Sequence, residues 1–216
     1  MEPLGESCAA RDAAERGMDL SVGIFADPIY LGHLNPRGRE EDIHGILRFS
    51  QKEWDIVSGS SDLYVVGGVY VRSTLNLSFG LNHYSTRLAT GNLLSLPSAV
   101  DEIFGGIEFV TERDGVPIGH RGHNGHPYIV PWGFGRLLKH VRKVWTNPSV
   151  TCDHKDLSII ITENGYAEQD EGDQPLESII NDENRQHYFD SYICELVQAR
   201  EAGIPVDGYF GWSLLE

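Results

Sequence analysis

Two stretches of the 216-residue chain end apolar runs on side chains able to do chemistry. "LSIIITENGY", Leu157 to Tyr166, is a short β-branched run closed by Asn164-Gly165. That pattern predicts a buried strand and a tight turn, with Glu163 at the strand's C-terminal tip. Such tips are where α/β proteins hold reactive groups. The same residues also fit a glutamate that points into water beside a turn. "SFGLNHYST" ends a second apolar run in the same manner, with Asn82 and Tyr84 at its tip. A third pattern, "HRGHNGH", spaces His120, His123 and His126 regularly. Without cysteine or acidic partners in a ligand pattern it reads as a solvated loop rather than a metal site.

These groups need elements to position them. Residues 8–20 are rich in helix formers and predict a helix with no strand before it. Residues 49–57 predict a short amphipathic turn or helix, and two apolar stretches follow at 63–72 and 79–86. Residues 87–130 are Gly-rich and loop-like, with a hairpin at "IEFVTERDGVPIG" turning on Asp114-Gly115. A helix is expected over about 134–145, ended by Asn147-Pro148. After the Glu163 strand, Tyr188, Tyr192 and Leu196 recur at helical spacing beside Phe189, Ile193 and Val197, giving one wide apolar stripe. Asp182 is placed to cap this helix, and Gly203 and Pro205 to stop it. "VDGYFGWSLLE" then reads as a buried strand, completing a parallel βαβ unit.

Composition narrows the partners. The chain is 40% hydrophobic and 10% aromatic, as expected of an ordinary globular protein. Its formal net charge of -15 would repel phosphate backbones and anionic membranes. Neither nucleic acid nor membrane is an expected partner; a neutral or cationic ligand fits better. Cys8, Cys152 and Cys194 form no CxxC pair and no disulfide framework, which favours a reducing compartment. With no apolar leader and no run of membrane-spanning length, a cytoplasmic protein is expected.

Five stretches in order, "FADPIYLGH", "GLNHYS", "VPWGF", "ITENGY" and "DGYFGWSLLE", resemble the C-terminal part of glycoside hydrolase family 1, most closely its fungal intracellular β-glucosidases. The resemblance implies an α/β fold, part of a (β/α)₈ TIM barrel comprising roughly strands 6 to 8. It takes residues 1–216 as the C-terminal part of one catalytic domain. It also implies retaining hydrolysis of terminal β-D-glucosyl residues from β-glucosides such as cellobiose, through a covalent glycosyl-enzyme. On this resemblance Glu163 is the nucleophile, Tyr84 orients it, and Asn82 and Trp212 bind the sugar. The indole face of Trp212 would stack on a pyranose. The partner is then a small carbohydrate, without a metal or cofactor.

The chain also departs from the family pattern. It contains no Asn-Glu-Pro, the motif that carries the family's acid/base glutamate, and its "WSLLE" does not continue into Asp-Asn-Phe-Glu-Trp. The chain alone is therefore expected to be inactive, with a barrel that does not close. Tyr64–Ser78 interrupts what would otherwise read "GSSDLFGLNHYS" and reads as an inserted segment. His126 stands where many relatives place a tryptophan, which leaves leaving-group preference open. The alternatives are a truncated, non-catalytic or sugar-binding remnant, and a β-galactosidase or transglycosylase of the same family.

Overall fold

The computed structural model describes residues 1–34, 49–60, 63–66, 78–91, 106–122, 128–152, 154, 156–168 and 171–213. The chain begins with a two-residue strand, β1 (Glu2–Pro3), then α1 (Cys8–Met18). A strand thus precedes the first helix, contrary to expectation; two residues bracketed by loop are too short to carry a period-2 signal. Ser7 caps α1 by accepting from the Ala10 N–H at 3.1 Å. The helical path runs on through Asp19–Gly23, α2 (Ile24–Ala26) and Asp27–Leu31, and ends at Gly32, whose φ of 69° is the left-handed conformation glycine adopts freely. Next comes α3 (Gln51–Val57), started by a capping box in which Ser50 and Glu53 satisfy each other's backbone N–H.

The strands that follow are β2 (Leu63–Val66), β3 (Ser78–Asn82), β4 (Leu88–Gly91), β5 (Ile107–Val110), β6 (Glu112–Arg113) and β7 (Val116–Pro117). Asp114 and Gly115 join β6 to β7 with φ of 52° and 76°, the expected hairpin turn. β1, β4 and β5 form a small sheet that the sequence reading did not anticipate. Ala13 and Ala14 of α1 are buried in one cluster with Ala89 of β4 and Ile107 of β5. β4 falls within the Gly-rich stretch that read as loop, where tertiary packing overrides weak local preference, whereas β5 falls within the segment expected as a hairpin.

The principal sheet has the order β2-β3-β8-β9, all parallel, where β8 is Ser158–Asn164 and β9 is Val206–Gly211. Three helices accompany it: α4 (Pro131–Val141, continuing helically to Thr146), α5 (Leu176–Asn181) and α6 (Glu183–Glu201). Phe79, Leu81, Ile159 and Ile161 alternate along β3 and β8 and share one core with Phe134, Leu138 and Trp145 of the α4 path and Tyr188 and Tyr192 of α6. Burying each such side chain contributes about 1.5–3 kcal/mol. Trp145 anchors the N-terminal helical path to this core by donating its indole N–H to Asp27 Oδ1 at 2.6 Å.

Three expectations change here. Asp182 occupies the N-cap of α6 in a left-handed conformation and makes no side-chain cap; its carboxylate instead receives Arg185 Nε at 2.8 Å. The wide apolar stripe of α6 is narrower, because Tyr188 and Tyr192 are buried whereas Ile193 and Val197 are exposed. β9 is not a buried strand along its length: Val206 is buried, but Phe210 is 61% exposed. Of the segment read as inserted, Tyr64–Val66 lie in β2 and Ser78 opens β3, pairing its hydroxyl with Ser158 at 2.9 Å; residues 67–77 lie outside the described residues.

Candidate active site

Strand alternation alone would put Glu163 on the helix side of the sheet, with Ile159 and Ile161. The register prevents this. Leu81 pairs with Ile161 but Asn82 pairs with Glu163, so Thr162 is an extra residue and forms a bulge. The bulge re-phases the tip. Glu163 turns to the face that carries Asn82 and Tyr84, and Asn164 turns inward to the helix side.

Glu163 is half-buried and accepts a hydrogen bond from the Tyr84 hydroxyl at 2.6 Å. Two backbone bonds hold it from either side: the His83 N–H donates to Glu163 O at 2.9 Å, and the Trp212 N–H donates to Asn164 O at 2.8 Å. The chain must pass very close here. A Cβ on Gly165 would stand 1.7 Å from the Trp212 carbonyl oxygen, so only glycine fits. Asn82 lies beside this pair, and its Oδ1 accepts from Thr162 Oγ1. That bond orients the amide and leaves its buried Nδ2 without a partner among the described residues. Trp212 follows β9 with 52% of its surface exposed. The structure therefore brings Glu163, Tyr84 and Asn82 together, and ties the Trp212 backbone to the same turn.

A second layer was not found from sequence. Asn164 is fully buried; its Nδ2 donates to His83 O and to the Tyr188 hydroxyl at 2.7 Å, while its Oδ1 accepts from the Tyr209 hydroxyl at 2.7 Å. Tyr188 in turn donates to Tyr84 O at 3.1 Å. Burial raises the Tyr188 and Tyr209 hydroxyls well above the ordinary tyrosine range, and pushes Tyr192 up to about 12. All three remain proton donors at any physiological pH. The available signal was the i, i+4 spacing of Tyr188 and Tyr192, which reads as core unless each hydroxyl is asked for a partner.

His83, between Asn82 and Tyr84, packs its ring against Phe134 and Tyr192 at centroid distances of 5.1 and 5.9 Å. Burial first, and the amino-terminal ammonium second, depress its pKa from 6.5 to about 3. The unfolded chain therefore binds the extra proton more readily, and stability present above pH 6.5 is lost as pH falls toward 3. Urea midpoints are expected to drop across that window by the equivalent of a few kcal/mol in all. In His83→Phe that part of the slope should flatten; an unchanged slope would place the acid sensitivity elsewhere. Of the histidine triplet, His120 is described, whereas His123 and His126 lie outside the described residues.

Comparison with known proteins agrees with this architecture. The profile of Glycosyl hydrolase family 1 matches residues 1–216. Beta-glucosidase 1B of Phanerodontia chrysosporium is 33% identical over 216 residues, covering 99% of this chain and 34% of the relative. Beta-glucosidase 25 of Oryza sativa subsp. japonica is 32% identical, covering 100% of this chain and 39% of the relative. Among solved structures, beta-glucosidase 2 from the fungus Trichoderma reesei, in complex with Tris, superposes with a TM-score of 0.78 at 29% identity, over 98% of this chain and 41% of that one. The chain thus spans between a third and about two fifths of the length of these relatives, as a partial (β/α)₈ barrel would. With its full length matched by the family profile and its fold shared with β-glucosidases, the chain belongs to glycosyl hydrolase family 1.

Proposed function

We propose that this chain supplies the nucleophile half of a retaining β-glucosidase site. The observation that carries the reading is the 2.6 Å bond from the Tyr84 hydroxyl to Glu163 at the C-terminal tips of adjacent parallel strands. Glu163 attacks the anomeric carbon of a terminal β-D-glucosyl residue and forms a glycosyl ester, which water then hydrolyses with net retention. Tyr84 keeps the carboxylate oriented along the line of attack, because a donor on one oxygen fixes the plane of the other. The Asn82 Nδ2, without a partner among the described residues, is a donor held ready for a sugar hydroxyl. Trp212 offers an aromatic face to the pyranose.

The second carboxyl, which protonates the leaving oxygen and activates water, stands roughly 5–5.5 Å from the nucleophile in retaining glycosidases. No Asn-Glu-Pro occurs in this chain, so on this reading that group comes from the remainder of a complete barrel. The reaction runs on carboxylates and calls for no cofactor, and cellobiose is a fitting substrate. Cys8, Cys152 and Cys194 are exposed, and the absence of a CxxC pair or disulfide framework in the sequence fits a reducing, cytoplasmic setting.

The test joins this chain between the upstream and downstream portions of the Phanerodontia relative to complete a barrel. Treating that protein with 2,4-dinitrophenyl 2-deoxy-2-fluoro-β-D-glucoside should trap the glycosyl ester on Glu163. Peptide mapping that found the label on Glu168 or Glu177 would sink the assignment. The same completed barrel tests whether residues 1–216 form one stretch of a catalytic domain with Tyr64–Ser78 interpolated. Excising Tyr64–Ser78 should raise soluble yield, since extra residues ahead of a catalytic tip disturb register. A lower urea midpoint after excision would show that β2 and Ser78 contribute to stability and would sink the insertion reading.

A further inference from the structure

We propose that Tyr188 is a positioning residue for the Tyr84–Glu163 pair. The proposal rests on the reading of Glu163 as the nucleophile. Tyr188 reaches both strand tips through one oxygen: its hydroxyl donates to Tyr84 O at 3.1 Å and accepts from Asn164 Nδ2 at 2.7 Å. The first contact sits on the residue that bonds the nucleophile. The second sits on the residue that follows the nucleophile. Tyr188 therefore fixes the distance between two backbones whose side chains must meet.

The ring that carries this hydroxyl is itself held. Tyr188 stacks on Tyr192 with centroids 4.1 Å apart and an interplanar angle of 17°, meets Tyr166 at 5.7 Å, and is fully buried. Tyr192 is anchored in turn, its hydroxyl accepting from the Val130 N–H at 3.0 Å. A path of rigid contacts thus runs from α4 and α6 to the carboxylate. Tyr84 magnifies any loosening, because its hydroxyl lies at the end of a long ring, and a displacement of about 1 Å at a reacting group can cost 10²-fold. Phe at position 188 would keep the stack and remove the clamp.

The experiment uses the 216-residue chain and reads no turnover, so its outcome is separate from that of the fluoroglucoside labelling. The chain is treated with a water-soluble carbodiimide and glycine ethyl ester, and peptide mass mapping gives the modification rate of Glu163 relative to exposed Glu201. A carboxylate oxygen occupied by a hydrogen bond attacks carbodiimide slowly. Tyr84→Phe is expected to raise the relative rate roughly tenfold, the equivalent of a hydrogen bond to a charged group. Tyr188→Phe should produce at least half of that increase on a logarithmic scale. Tyr30→Phe, which loses a buried hydroxyl bonded to Ser78 O at the opposite end of β3, should leave the rate unchanged. A parent-like rate in Tyr188→Phe would overturn the proposal. So would an equal rise in Tyr30→Phe, which signals general loosening, or no rise in Tyr84→Phe, which removes the pair to be held.

Discussion

Replacing Glu163 by glutamine in the completed barrel is expected to lower turnover of an activated aryl β-glucoside by about 10⁶-fold, the scale on which removal of a covalent nucleophile is felt. Glutamine has the size of glutamate, and its amide oxygen still accepts from Tyr84, so the local geometry should survive. What is lost is the attacking oxygen. An amide cannot form the glycosyl ester, and the two-step route closes at its first step. Because the change acts on chemistry rather than on binding, it should fall on kcat, with KM nearly unchanged. Steady-state kinetics and a matched urea titration check both statements together. Residual activity within tenfold of the parent, in a protein of parental stability, would mean that another carboxylate carries the reaction.

The elements that sequence revealed were those with one dominant local cause. β8 followed from an unbroken β-branched run closed by Asn-Gly, and the β6–β7 hairpin from Asp114-Gly115. The βαβ unit followed from helical spacing between two apolar runs, and its strands pair in parallel as that topology requires. Features that depend on long-range register were not legible. Nothing local marks Thr162 as the extra residue, because a bulge is defined by the partner strand and β3 lies eighty residues earlier in sequence, roughly speaking. That single residue decides which face Glu163 occupies. The exposure of Phe210 and Ile193 was misread for a related reason: apolar periodicity says which residues can be buried, not whether anything covers them. Asn164 was read only as a turn former, although its buried amide joins β8 to α6 and β9.

The 216-residue chain expressed as a separate polypeptide is expected to give no sustained turnover of an aryl β-glucoside, although Glu163 and Tyr84 already stand in hydrogen-bond contact. Nucleophile and acid/base do separate work. An activated aryl group leaves without protonation, so the first step can proceed without a general acid. The second step cannot be bypassed in that way. Water must be deprotonated as it attacks the glycosyl ester, and losing that base costs typically 10²–10⁴-fold. Missing contacts to the distal hydroxyls remove further transition-state binding. The measurement is release of dinitrophenolate against enzyme concentration: at most one equivalent should appear, with the glucosyl ester remaining on Glu163. Supplying the remaining barrel portions should then convert this single event into continuous turnover. Sustained turnover by the chain alone, abolished in Glu163→Gln, would show that a carboxylate within these residues already serves as acid/base, and the division of labour between the two parts of the barrel would be wrong.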